Sequence, residues 1–264
     1  MQLADGKILA RTDAGVGTIT FNQPEKRNAM SIAMWDGMAE ALDVFAGDDA
    51  VRCVVLEGAG GKAFVSGADI SQFEQSRSDA DAQRQYNAKT SHGRERLAAF
   101  PKPVIAKIQG FCMGGGLGIA MACDMRIAGV GSEFGIPAAK LGIAYGFDMV
   151  GHLVGLVGPA HAHFILMTGG RLDAAEAERM GLINKVHPAE ALDAEVARIT
   201  AAIAVNAPLS LRANKRTVRA VLADAGQRDM AAIAADQDAC FDSADYREGR
   251  RAFMEKRKPV FTGS

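Results

Sequence analysis

The sequence has no excess of either charge: 30 Lys and Arg stand against 31 Asp and Glu in 264 residues. That balance excludes a globally basic nucleic-acid binder, while leaving room for a local basic patch. Cysteine is scarce. The four residues Cys53, Cys112, Cys123 and Cys240 form no C-x-x-C pair and no zinc-type cluster. A disulfide framework is not expected in a chain of this size, so they read as thiols in a reducing compartment. No unbroken run of about 18 apolar residues occurs, so no membrane span is expected. The N-terminal stretch MQLADGKILA has no basic segment followed by an apolar one, so no secretory signal is expected and a cytoplasmic protein is the default. Disorder is excluded as the main state because 48% of the residues are hydrophobic. The chain is long enough for one large core, with or without a smaller appendage.

Short β-branched runs bounded by Gly, Pro or Asn predict strands at residues 16–20, 51–56, 104–108 and 125–128. Ser31 reads as the N-cap of a helix running to about residue 45. Its apolar positions Met34, Trp35, Met38, Ala41, Leu42 and Phe45 recur at three- and four-residue steps. Residues 71–92 are polar and read as a mobile or helical excursion. Residues 119–123 read as a helix following a glycine-rich turn. Strand, turn and helix alternate repeatedly, the pattern of an α/β chain with crossover connections. The second half is more helical, with helices expected at 147–156, 160–168, 174–180 and 191–205. Asn206, Ala207 and Pro208 mark a hinge. The organisation expected is a core of residues 1–205 and a helical C-terminal region of residues 206–264 used for oligomerisation.

Two segments carry chemistry. In residues 110–118 (GFCMGGGLG), three consecutive glycines lie between a strand and a helix. Backbone N–H groups at such a helix N-terminus, with the helix dipole, suit a negative oxygen. The same glycines also suit a tight turn with close helix–strand packing. A phosphate loop needs Gly-Lys-Ser/Thr and a dinucleotide site needs G-x-G-x-x-G, and this run supplies neither. The second segment, residues 66–70 (SGADI), alone reads as a turn with Asp69 as a helix-capping residue.

Together, in this order and with a polar excursion between them, the two segments resemble the enoyl-CoA hydratase/isomerase (crotonase) superfamily. The resemblance also rests on residues 21–30 (FNQPEKRNAM), 101–106 (PKPVIA), 134–137 (FGIP), 174–184 (AAEAERMGLIN) and 252–261 (AFMEKRKPVF). It implies an α/β fold, a spiral of repeated ββα units with a C-terminal helical region, assembled as a homotrimer or dimer of trimers. It implies an acyl-CoA substrate, with no cofactor beyond the CoA moiety. An oxyanion hole would stabilise a thioester enolate, and by match of motif its donors are the N–H groups of Ala68 and Gly115. One such fixed donor is commonly worth about 3–4 kcal/mol. Lys26, Asn28 and Ala29 match the segment bordering the adenosine and pantetheine. Ala68, Asp69 and Ile70 complete the CoA-binding set, Asp69 also matching a structural position. Lys256 matches a lysine that reaches the CoA phosphates of a neighbouring subunit.

The sequence departs from the hydratase pattern at both catalytic carboxylates. The glutamate two residues beyond the glycine triplet is Gly118 here, and the one following the proline of F-G-x-P is Ala138. Acid–base groups typically contribute about 10²–10⁴-fold each. Tyr145 and Asp148 are the candidate replacements. Tyr145 resembles a tyrosine of members that decarboxylate malonyl-type thioesters, where it would orient the departing carboxylate or protonate the product carbon. It also reads as a residue that only fills the pocket. Ala68 stands where such members carry a histidine, which counts against that assignment. Asp148 reads equally as a helix N-terminal charge favoured by the dipole. The activity expected is an enoyl-CoA hydratase-like lyase with both glutamates replaced. Malonyl-type decarboxylation, enoyl-CoA isomerisation and non-catalytic acyl-CoA binding remain as alternatives. The histidines show no ligand spacing, so no metal is expected. The basic run at residues 253–258 lacks aromatic stacking partners, so nucleic acid is not expected as a partner.

Overall fold

The structure, a computed structural model, describes residues 1–69 and 80–264. It opens on an antiparallel ladder of β1 (Gln2–Leu3), β2 (Ile8–Asp13) and β3 (Val16–Phe21). Helix α1 (Ile32–Gly47) follows, and the Ser31 side chain accepts a hydrogen bond from the Met34 N–H as its cap. Its buried face holds Met34, Trp35, Met38, Ala41, Leu42 and Phe45, the stripe that the spacing predicts.

Three strand–strand–helix units come next. Strands β4 (Cys53–Gly58) and β5 (Ala63–Val65) precede α2 (Ala80–Ala99). Strands β6 (Val104–Ile108) and β7 (Phe111–Met113) precede α3 (Gly115–Ala122). Strands β8 (Met125–Gly129) and β9 (Glu133–Gly135) precede a 3-10 turn (Pro137–Leu141) and α4 (Phe147–Thr168). After them, β10 (Leu172–Asp173), α5 (Ala174–Arg179) and β11 (Lys185–His187) close the layers. In each unit the first strand enters one sheet and the second enters another. The larger sheet runs β1-β2-β3-β4-β6-β8-β11 and the smaller β10-β9-β7-β5. From β3 onward the larger sheet is parallel, as are β5, β7 and β9 in the smaller one. This is the α/β spiral of ββα units that the resemblance implies.

Parallel strands are covered on both faces, so β4 and β6 are buried along most of their length. One face packs on α1 around Phe21, Phe64, Met38 and Leu56, with Phe21 and Phe64 edge to face at 5.4 Å. On the other face Val55, Ile105 and Ile127 meet Leu192 and Val196 of α6 (Leu192–Ala204). The chain then runs through α7 (Pro208–Leu222), α8 (Met230–Asp242) and α9 (Ala244–Met254). Lys215 ties α7 to the core. Its Nζ lies 2.6 Å from Asp124 Oδ2 and 2.7 Å from the Lys102 carbonyl. Burial lowers its pKa despite the neighbouring carboxylate.

One sequence expectation needs correction. The helix expected at 119–123 begins at Gly115 instead. The glycines belong to the helix because a Cβ at Gly116 would sit 2.1 Å from the Val65 carbonyl oxygen, so only glycine lets α3 lie against β5. The two helices expected at 147–156 and 160–168 are both present within the α4 segment, separated by the non-helical Gly158 (φ 72°, ψ 167°) just before Pro159. By length and composition α4 is apolar enough to cross a bilayer, and 22% of its most apolar stretch is buried. A search for unbroken apolar runs does not register it, because Asp148, His152, His161 and His163 interrupt the run.

Candidate active site

The site is built on two backbone turns, one beyond β3 that pairs with the residues after β5 and the other beyond β7. The first follows β3. Arg27 and Asn28 both adopt left-handed conformations, with φ of 52° and 56°. Asn28 is fully buried. Its Oδ1 accepts from the Gln23 N–H at 2.9 Å, and its Nδ2 donates to the carbonyls of Ala59 at 3.0 Å and Ala63 at 2.8 Å. This one side chain locks the turn onto β5. The backbone then pairs with the segment beyond β5: Ser66 N–H donates to Arg27 O, Met30 N–H to Gly67 O, and Asp69 N–H to Met30 O. Met30 and Ala68 form a parallel bridge. In such a bridge Gly67 and Asp69 supply the bonding groups, so the N–H of Ala68 turns to the opposite side. Ala29 is buried beside it. Lys26 Nζ lies 2.9 Å from Asp69 Oδ2, with the Asp69 side chain 9% exposed and that of Lys26 48% exposed.

The second segment follows β7. Gly114 (φ 53°) is the N-cap of α3, and its N–H donates to Gly135 O at 2.8 Å. Gly115 is the first helical residue, so its N–H has no acceptor within the helix. A Cβ at Gly115 would meet nothing within 4 Å, so this turn faces open space. Strands β5 and β7 are parallel neighbours. The segments that follow them run in the same direction, and a Cβ at Gly67 would lie 3.6 Å from the Met113 carbonyl oxygen.

Side chains reach this turn from α4 and the residues before it. The Tyr145 hydroxyl lies 3.3 Å from the place a Cβ would take on Gly114. Met149 Cε lies 2.3 Å from the place a Cβ would take on Gly118, with its Sδ at 3.4 Å. Two side chains four residues apart thus meet two glycines four residues apart. Tyr145 and Met149 are half-buried and packed against the core. Met149 is absent from the sequence-derived candidates, although the matched spacing of 114/118 and 145/149 is visible in the sequence. Asp148 is exposed in the first turn of α4, and His152 one turn further is exposed as well. Ala138 is buried in the 3-10 turn.

The remaining candidates lie elsewhere or serve structure. Lys256 is exposed just beyond α9, in a left-handed conformation (φ 53°). Ile70 falls outside the described residues, as does the first part of the excursion at 71–92, whose later part is α2. Asp124 Oδ2 accepts from the Val104 N–H at 2.7 Å, besides its contact with Lys215. Glu133 is paired with Arg171 at 3.0 Å.

A spiral of ββα units with a glycine turn beyond one strand of its smaller sheet defines a protein class, and the comparisons agree with it. The family model described as enoyl-CoA hydratase/isomerase matches residues 11–264, and the chain belongs to that family. It is 36% identical to the crotonyl-CoA hydratase of Syntrophomonas wolfei, covering 98% of this chain and 99% of that one. It is 34% identical to the short-chain-enoyl-CoA hydratase of Clostridium acetobutylicum, covering 95% of each. Among solved structures, an enoyl-CoA hydratase/carnithine racemase from Magnetospirillum magneticum superposes with a TM-score of 0.92 at 36% identity. That match covers 98% of this chain and 96% of that one.

Proposed function

We propose that this chain is an acyl-CoA enzyme that holds a thioester oxygen between the N–H groups of Ala68 and Gly115. The observation that carries the reading is the Met30–Ala68 bridge, which turns the Ala68 N–H away from its strand partner beside the open turn at Gly115. Negative charge that develops on the thioester oxygen as an enolate forms then meets two preorganised donors and the positive end of α3. The reaction assigned is hydratase-like lyase chemistry on an enoyl-CoA, in keeping with the names of the relatives. Gly118 and Ala138 provide no carboxylate, so the Tyr145 hydroxyl is the group assigned to handle the proton at the acyl carbons, and exposed Asp148 is the weaker candidate. CoA is the only cofactor moiety, carried by the substrate and bordered by Lys26 and Ala29; Asn28, fully buried, holds the turn beneath them and does not reach the ligand.

A second reading is decarboxylation of a malonyl-type CoA. The observation favouring it is the Met149 thioether at Gly118 together with the methyl group of Ala138, which leave both glutamate positions apolar. There the C–C bond to the carboxylate breaks, carbon dioxide leaves, the electron pair becomes the enolate, and a proton is then delivered to carbon. We assign residues 206–264 to assembly into a trimer or a dimer of trimers, with Lys256 offered to a neighbouring subunit's CoA.

The test is incubation of the purified protein with enoyl-, hydroxyacyl- and malonyl-type CoA esters, read by product mass. Gain or loss of water supports the lyase reading and loss of carbon dioxide the second. A panel returned unchanged, with acyl-CoA binding demonstrated separately, replaces both with a non-catalytic binder.

A further inference from the structure

The contact between Met149 and Gly118 deepens the acyl-CoA reading and rests on it. Position 118 lies three residues beyond Gly115, so the two share a helix face about 5–6 Å apart. A thioester whose oxygen sits at the Gly115 N–H would place its first acyl carbons along this face. A side chain at 118 would occupy that region, and the structure fills it from another helix, with Met149 Cε and Sδ at 2.3 and 3.4 Å from the position of the missing Cβ. Tyr145 stands one turn earlier, over Gly114, so the phenol and the thioether form one continuous wall.

We propose that Met149 is a specificity-determining residue that limits the acyl group at its α and β carbons, so that the site takes straight, short acyl chains and rejects branching at the α carbon. The wall is a flexible thioether rather than a fixed backbone strand, so its reach depends on what stands at 118. Glycine there lets Met149 lie flat against α3. A methyl group there would push the thioether outward into the space that the acyl group needs.

The test measures binding of saturated acyl-CoA esters, which offer no double bond to hydrate and no carboxylate to lose. Acetyl-, butyryl- and 2-methylpropanoyl-CoA are titrated calorimetrically against the unmodified protein, Met149→Ala, Met149→Leu and Gly118→Ala. One misplaced methyl group in an apolar pocket is worth about 10–200-fold. The unmodified protein is expected to prefer butyryl- over 2-methylpropanoyl-CoA by about tenfold or more. Met149→Ala is expected to reduce that preference to about twofold, and Met149→Leu to retain it. Gly118→Ala, which leaves Met149 in place, is expected to weaken butyryl-CoA about tenfold while acetyl-CoA changes little. An unaltered preference in Met149→Ala, or butyryl-CoA bound by Gly118→Ala as tightly as by the unmodified protein if the first variant does not fold, overturns the role of Met149 and leaves the acyl-CoA reading standing. Failure of the unmodified protein to bind any acyl-CoA overturns both.

Discussion

The two walls of the candidate site are built on opposite plans. On one side, residues 27–30 and 66–69 form a backbone ladder whose turn is held by a fully buried asparagine with every polar atom of its amide engaged. On the other side, α3 presents glycines, and the groups that face the opening belong to α4 and the residue before its cap. The first wall fixes a backbone N–H by the same hydrogen bonds that hold the fold together. The second wall is made of side chains with no share in the sheet. Side chains of the second wall can therefore be exchanged without disturbing the backbone ladder of the first. The reading proposed for Gly118 and Ala138, apolar residues in place of carboxylates, is an exchange of that kind.

Breaking the first wall should have the largest effect. Asn28→Ala orphans the Gln23 N–H and the carbonyls of Ala59 and Ala63, and puts alanine in a left-handed conformation. At about 1–3 kcal/mol for each buried group left unsatisfied, a loss of about 3–5 kcal/mol is expected. In a domain of this size that lowers Tm by about 10 °C. Thermal unfolding checks it, and a drop of only a degree or two would show that the ladder stands without its asparagine. The second wall should fail differently. Tyr145→Phe is expected to lower kcat about 10²–10³-fold with KM and Tm nearly unchanged, because the ring stays packed and only the hydroxyl leaves. Steady-state kinetics on whichever ester turns over decides it, and full activity would leave Tyr145 as a packing residue. The exchange can also be attempted in reverse. Gly118→Glu combined with Met149→Ala puts a carboxylate where the thioether stood. Hydration of crotonyl-CoA is expected to rise about tenfold over Met149→Ala alone. Gly118→Glu by itself should lose about 1–3 kcal/mol of stability through overpacking against Met149.

The same contrast explains what was legible in the sequence. Elements defined by a local pattern are readable: the Ser31 cap and its stripe end up where they were expected, and β6 spans the residues its β-branched run marks. The glycine triplet misled on the helix start, because glycine disfavours helix locally and a tertiary contact with Val65 O decides the matter. Asn28 was singled out for a ligand role, while its hydrogen bonds show what it does for the fold; nothing in the sequence says that three partners from residues 23, 59 and 63 converge on it. Met149 was missed for the related reason that a methionine in an apolar helix reads as core. Its meaning lies in facing Gly118, and that pairing joins residues 31 positions apart in separate elements.

The smallest expected effect belongs to the outer rim of the first wall. Lys26 reaches Asp69 at 2.9 Å, but its side chain is 48% exposed. An ion pair this open to solvent is worth about 1 kcal/mol or less. Lys26→Met should therefore leave Tm within about 3 °C, since Asp69 keeps its place through its N–H bond to Met30 O. If Lys26 also borders bound CoA, the same variant should weaken free CoA about threefold to tenfold at low salt, and the difference should fade toward 0.5 M salt, roughly where screening removes exposed charges. Titration of unacylated CoA at two salt concentrations separates the two roles. A large loss of Tm would make Lys26 part of the ladder, whereas a salt-independent loss of affinity would assign its contact with CoA to packing of the aliphatic stem instead of charge.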